Sequence, residues 1–96
     1  MGNGNGVFFW MKDHGKVLAV CDKEILGKTV DGVTINEKFY KGELVGKEKL
    51  KEKLKNAQNI NLFGKNCIEV AIELKIAEKG SYMLVGDVPH LNVVCI

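Results

Sequence analysis

The chain sets two apolar runs, Val7 to Met11 and Val17 to Cys21, on either side of Asp13-His14-Gly15-Lys16. Gly15 readily takes positive φ and His14 tolerates it, so the pattern predicts a tight hairpin. With His14 and Gly15 as the loop, Met11 faces Leu18, Phe9 faces Val20 and Phe8 faces Cys21. One face then carries Phe9, Met11, Leu18 and Val20, and the other Phe8, Trp10, Ala19 and Cys21. Both faces are apolar. The hairpin is therefore expected to be covered on both sides by its own chain, or on one side by a partner.

Asp31-Gly32 marks a turn before the short alternating strand Val33 to Asn36, and Phe39 to Glu43 reads as an irregular loop with two aromatic rings. Lys47 to Lys55 is rich in helix formers but has only Leu50 and Leu54, extended by Ala57, as an apolar stripe. That predicts a surface helix with lysines over most of its circumference. Asn66 to Lys79 predicts a second helix, apolar nearly all round through Ile68, Val70, Ala71, Ile72, Leu74 and Ile76, and closed by Gly80. Such a helix is central, so truncating Ile72 is expected to cost more stability than truncating Leu50. Tyr82 to Val85 and Leu91 to Ile96 complete the pattern as strands. The order β-β-β-α-α-β-β predicts an α+β fold. It is a single small domain over residues 7–96, a mixed β-sheet with an N-terminal hairpin and two helices packed on it. Residues 1–6 alternate Gly and Asn and read as a flexible tail.

Composition narrows the function classes. Ninety-six residues bury one core, and 46% apolar with 27% charged residues fits a globular chain. The longest apolar runs fall far short of the ~20 residues of a membrane span, so no membrane partner is expected. Cys21, Cys67 and Cys95 are odd in number and widely spaced, which predicts free thiols in a reducing cytoplasm. The net charge is only +2, and all 14 basic residues are lysines. Bidentate arginine reading of guanine or phosphate is thereby excluded, although lysine still attracts phosphate as a point charge. No dinucleotide or zinc-ligand spacing occurs, so no cofactor and no metal are expected.

Four sequence blocks carry a resemblance. They are Cys21-Asp22 with Leu26-Gly27-Lys28, Phe39-Tyr40 with Gly42-Glu43-Leu44-Val45, Asn61-Leu62-Phe63-Gly64, and Val88-Pro89-His90 with Val93-Val94. In these the chain resembles a small archaeal conserved family of unknown function, over nearly everything after residue 6. The resemblance implies an archaeal, cytoplasmic protein and brings no catalytic residues with it.

Two constellations could carry chemistry. Cys21 and Asp22 end an apolar strand, and the stiff Val88-Pro89 segment delivers His90 just before another, so the three are the weak catalytic candidates for a small enzyme or ligand-binding pocket. The ordinary roles compete: Cys21 as a small core residue, Asp22 capping the turn at Glu24 and Ile25, and His90 satisfying buried backbone groups. The second constellation is basic. Lys47, Lys51 and Lys55 form one i, i+4 row and Lys49 with Lys53 another, and these like-charge rows disfavour the helix unless something neutralises them. Glu48 with Lys51 and Glu52 with Lys55 are internal i, i+3 partners, the ordinary arrangement of a solvated face. The sharper alternative is an anionic partner such as RNA phosphate, with Lys41 nearby and Phe39 and Tyr40 as stacking rings. The leading expectation is therefore a noncatalytic protein that binds RNA or a ribonucleoprotein, with a homodimer through the hairpin as a further option.

Overall fold

The computed structural model describes residues 6–94, so residues 1–5 of the expected tail, and Cys95 with Ile96, lie outside the described residues. Strands β1 (Phe8–Asp13) and β2 (Leu18–Asp22) form the expected hairpin. Its register differs by two residues, with Met11 opposite Val20 and Trp10 opposite Cys21. The loop is longer because the His14 amide donates to the Val17 carbonyl at 2.8 Å. A two-residue shift keeps every side chain on its own face, so the two apolar faces survive the change.

After β2 a 3-10 turn (Lys23–Ile25) leads to a two-stranded ribbon, β3 (Thr29–Val30) with β4 (Val33–Thr34), turned at Asp31-Gly32. The supposed aromatic loop is instead a one-turn helix, α1 (Glu37–Tyr40), begun by the Asn36 side chain accepting from the Lys38 amide. Strand β5 (Glu43–Gly46) follows, then helix α2 (Lys47–Asn56), strand β6 (Asn59–Phe63), helix α3 (Lys65–Glu73) and the hairpin of β7 (Met83–Val85) with β8 (Val88–Val94). The main sheet runs β5-β1-β2-β6-β8-β7. Only the central β2-β6 pair is parallel, so the sheet is mixed and the fold is α+β as expected.

Alternation sorts the sheet into two cores. One face gathers Phe9, Met11, Leu18, Val20, Val45, Ile60 and Leu62 under α2 and α3. The other gathers Ala19, Cys21 and Phe63 beneath Ile35 and Tyr40, flanked by Ile25, Leu26 and Val30. The hairpin's own chain thus covers both faces of β2, whereas on the second face of β1 Trp10 is half-buried and Phe8 stays exposed at 39%.

The α3 helix ends earlier than its apolar pattern. Lys75 takes φ 63°, and the amides of Ile76 and Ala77 both turn back to the Ala71 carbonyl, at 3.0 and 3.3 Å. Ile76 and Ala77 still pack on the core, so apolar spacing persists where helical backbone does not. Burial also reverses the expected ranking of the two helices. Leu50 and Leu54 are sealed at 0% and 1% exposure, whereas Ile72 is only partly buried.

Leu50→Ala should therefore destabilise the domain by about 2–5 kcal/mol in denaturant melts, and by clearly more than Ile72→Ala. Equal losses would contradict this division of the core.

Candidate functional site

Because β2 and β6 are parallel and Cys21 lies opposite Phe63, both strands end at the same level. Asp22 then points onto the helical face, where α3 begins after the single residue Gly64. Its Oδ2 accepts the Asn66 amide at 2.9 Å and its Oδ1 the Cys67 amide at 2.8 Å. The carboxylate thus caps α3 from a neighbouring strand, and not the 3-10 turn that follows it, where it makes no cap bond. Burial pushes the Asp22 carboxyl above its ordinary range, and the two amide bonds offset part of that rise. Gly64 has φ 119°, and a Cβ there would stand 2.5 Å from the Asp22 carboxyl carbon. Beside it the Cys67 thiol donates to the Gly64 and Phe63 carbonyls at 3.3 and 3.4 Å.

Cys21, Asp22 and His90 do not converge. Cys21 faces the opposite side from Asp22 and has no exposed surface. Burial, reinforced by the Asp22 charge, pushes its thiol up to about 12. His90 lies inside β8, not before it, and the Phe63 position separates it from Cys21 across the sheet, two strand spacings or about 9–10 Å.

His90 belongs to a different cluster. Its Nε2 lies 3.2 Å from Asn61 Oδ1, which also accepts the Tyr40 hydroxyl, and Asn61 Nδ2 donates to Asn92 Oδ1 at 2.9 Å. A carboxamide oxygen only accepts, so this network puts the imidazole proton on Nε2 and leaves Nδ1 as an acceptor. The ring packs on Phe63 with centroids 4.8 Å apart. Burial lowers the His90 pKa and keeps the ring neutral at pH 7. Asn61 and Asn92 were legible only as polar members of alternating strands, a signal that becomes informative once β6 is seen to pair with β8.

The structure also divides the basic constellation. Helix α2 covers one face of the sheet, while Phe39 and Tyr40 lie on the other. Tyr40 is buried, Phe39 stacks on His14 at 4.7 Å, and Lys41 sits over the Trp10 ring. These three therefore do not share a surface with the lysine helix. Along α2, Lys47 and Lys51 reach Glu73 at 3.1 and 3.7 Å, and Lys49 reaches Glu43 at 2.9 Å. No carboxylate bridges Lys53 or Lys55 among the described residues. Lys53 instead lines an open cleft of about 530 Å³ between the β1-β2 turn and the α2-β6 connection. Lys16, Asn56, Gln58 and Asn59 line it too. Its one carboxylate, Asp13, is engaged with the Gly15 amide at 2.7 Å. Lys16 and the amides escaped notice because hairpin and helix end meet only in three dimensions. Among the described residues no three His, Cys, Asp or Glu side chains gather to hold a metal, and no helix is long and apolar enough to cross a membrane.

Asp22→Ala should cost about 1–3 kcal/mol by orphaning two amides at the start of α3. Gly64→Ala should cost at least as much, because strain in a glycine-only backbone region adds to the clash. Melts that leave both variants at wild-type stability would refute the capping role. A second expectation concerns pH. His90 has a depressed folded pKa, so its contribution is fully present above the ordinary value of 6.5 and is lost as pH falls through the folded value. Wild type should lose more stability than His90→Gln between pH 7 and 5. Parallel stability profiles would refute it.

A family described as a protein of unknown function (DUF424) matches residues 9–96. No curated protein matches the chain. Among solved structures it is similar to an uncharacterized conserved protein from Methanopyrus kandleri, with 23% identity, 94% of this chain and 93% of that one covered, and a TM-score of 0.71. That likeness is one of fold. The family match spans nearly the whole chain, and the protein therefore belongs to the DUF424 family of unknown function.

Proposed function

We propose that this domain is a noncatalytic RNA-binding protein of the cytoplasm that contacts phosphate through the outer arc of α2 and the cleft at its end. One observation carries the reading. Lys53 of the lysine helix shares the cleft with Lys16 and with the carboxamides of Asn56, Gln58 and Asn59. Lysines neutralise phosphates, and although Asn56 and Asn59 each give one amide hydrogen to a backbone carbonyl, of Glu52 and Lys16, the second hydrogen and the oxygen of each still offer the donor and acceptor that meet base edges and sugar hydroxyls. The ion pairs of Lys47 and Lys49 are solvent-exposed, and that of the half-buried Lys51 is long at 3.7 Å, so each holds its lysine weakly and yields to a phosphate with little loss. A noncatalytic role fits a fully buried Cys21 and an Asp22 occupied with helix amides. The buried, unpaired thiols of Cys21 and Cys67 fit a reducing compartment.

Fluorescence anisotropy with labelled single-stranded RNA over a salt series tests the reading. Wild type should bind with log affinity falling linearly in log salt. Lys16→Gln with Lys53→Gln should weaken binding about tenfold or more and reduce the slope by about 1.4, two contacts at about 0.7 each. No salt-sensitive affinity in the wild type would overturn it.

A further inference from the structure

The cleft continues onto the side of the sheet away from α2 and α3. Asn59 is the link, since it lines the cleft, donates to the Lys16 carbonyl at 3.1 Å, and begins the row of β6 side chains on that face. The next member is Asn61, paired with Asn92 on β8. Phe63 follows, with His90 beside it. Phe63 is sealed beneath Tyr40, but the strip beside it on β8, from the half-buried His90 through Asn92 to Val94, is open. Tyr40 and the ribbon cover β2 and the far end, where Gly86 abuts Val30, while Asn92 is exposed, as are Met83 and Val94 on the same face at 75% and 68%.

The hydrogen bonds also leave specific groups unspent. Asn61 Nδ2 takes the Asn92 oxygen and His90 donates from Nε2, so Asn92 Nδ2 and His90 Nδ1 have no protein partner among the described residues. One is a donor and the other an acceptor, beside an imidazole face of stacking size. A double helix does not fit this chemistry, because its bases are already stacked and paired, whereas an unpaired base can lie flat on a ring and offer its edge to an amide. From Val94 to His90 on β8 the open strip runs about 13 Å. At the 3.4 Å stacked spacing that is room for at most about four nucleotides.

Building on the RNA-binding reading, we propose that the domain holds a short single-stranded RNA segment, with backbone phosphate in the cleft between Lys16 and Lys53 and bases on Asn59, Asn61, Asn92 and His90. The cleft supplies affinity and the sheet row supplies selectivity for unpaired bases.

The test combines anisotropy with NMR of the side-chain amide and imidazole signals of the intact chain. Single-stranded oligomers should shift the signals of Asn59, Asn61, Asn92 and His90, and a duplex of the same length should compete at least tenfold less well. Asn92→Ala, at an exposed position, should lower single-strand affinity about fivefold or more without altering the salt slope. Lys16→Gln with Lys53→Gln should alter the slope. Salt-sensitive binding that leaves the sheet signals unmoved, tolerates Asn92→Ala and treats duplex and single strand alike would overturn the track while leaving RNA binding intact. Absence of any RNA affinity would remove both.

Discussion

The buried carboxylate of Asp22 ties the domain together. It stands at the end of β2, the strand with neighbours on both sides and both faces covered, and it holds the first amides of α3. A helix that starts one residue after a strand has no room for a capping residue of its own, because Gly64 must supply the reversal. The cap must come from elsewhere, and only a parallel neighbour ending at the same level can deliver it. The β2-β6 pairing, the absence of a side chain at Gly64 and the position of α3 are therefore one constraint. Burying the carboxyl is costly, and two charge-assisted bonds to amides at the positive end of a helix offset that cost.

That constraint fixes which way the sheet faces. With Asp22 committed to the helical side, Val20 and Leu18 join it there, while Cys21 and Ala19 turn to the other side. The second face then has to be covered by less material. Residues 23–40 supply a 3-10 turn, a ribbon and a single helical turn, enough to seal β2 but only parts of β1 and β8. Tyr40 marks the border, its ring buried and its hydroxyl reaching the Asn61 carboxamide. Beyond it the sheet leaves Asn92 exposed together with Met83 and Val94.

Much of this was written locally. The hairpin faces, the sparse stripe of Leu50 and Leu54, and the α+β class follow from periodicity within single segments. Three things did not. Strand β6 carries asparagine at alternate positions, a poor strand former, so Ile60 and Leu62 on its helical face make a weak signal although they end at 2% and 0% exposure. Asp22 sits directly before a turn with the spacing of a local cap, and its actual amides are more than forty residues away. Finally, Lys47 to Lys55 and Phe39-Tyr40 are near in sequence but sit on opposite faces, because strand β5 carries the chain to the sheet edge between them. Local chemistry was readable, and long-range adjacency was not.

The open half of the second face bears on why asparagines occupy β6 and β8 at all. Stability alone favours branched or aromatic side chains at such positions, and Ile60, Leu62 and Leu91 on the opposite face obey that preference. Asn59, Asn61 and Asn92 forgo it, and Asn61 ties three partners into one network that orients His90. A network of this kind fixes donor and acceptor directions more than it adds to stability, since each bond replaces one already made to water. The same chain that spends a buried carboxylate to anchor α3 thus keeps a preoriented polar row on the face where it has least cover. Fixed directions at an exposed strip suit the recognition proposed above, and the lysines of the cleft at one end of the row suit the charged backbone of such a partner.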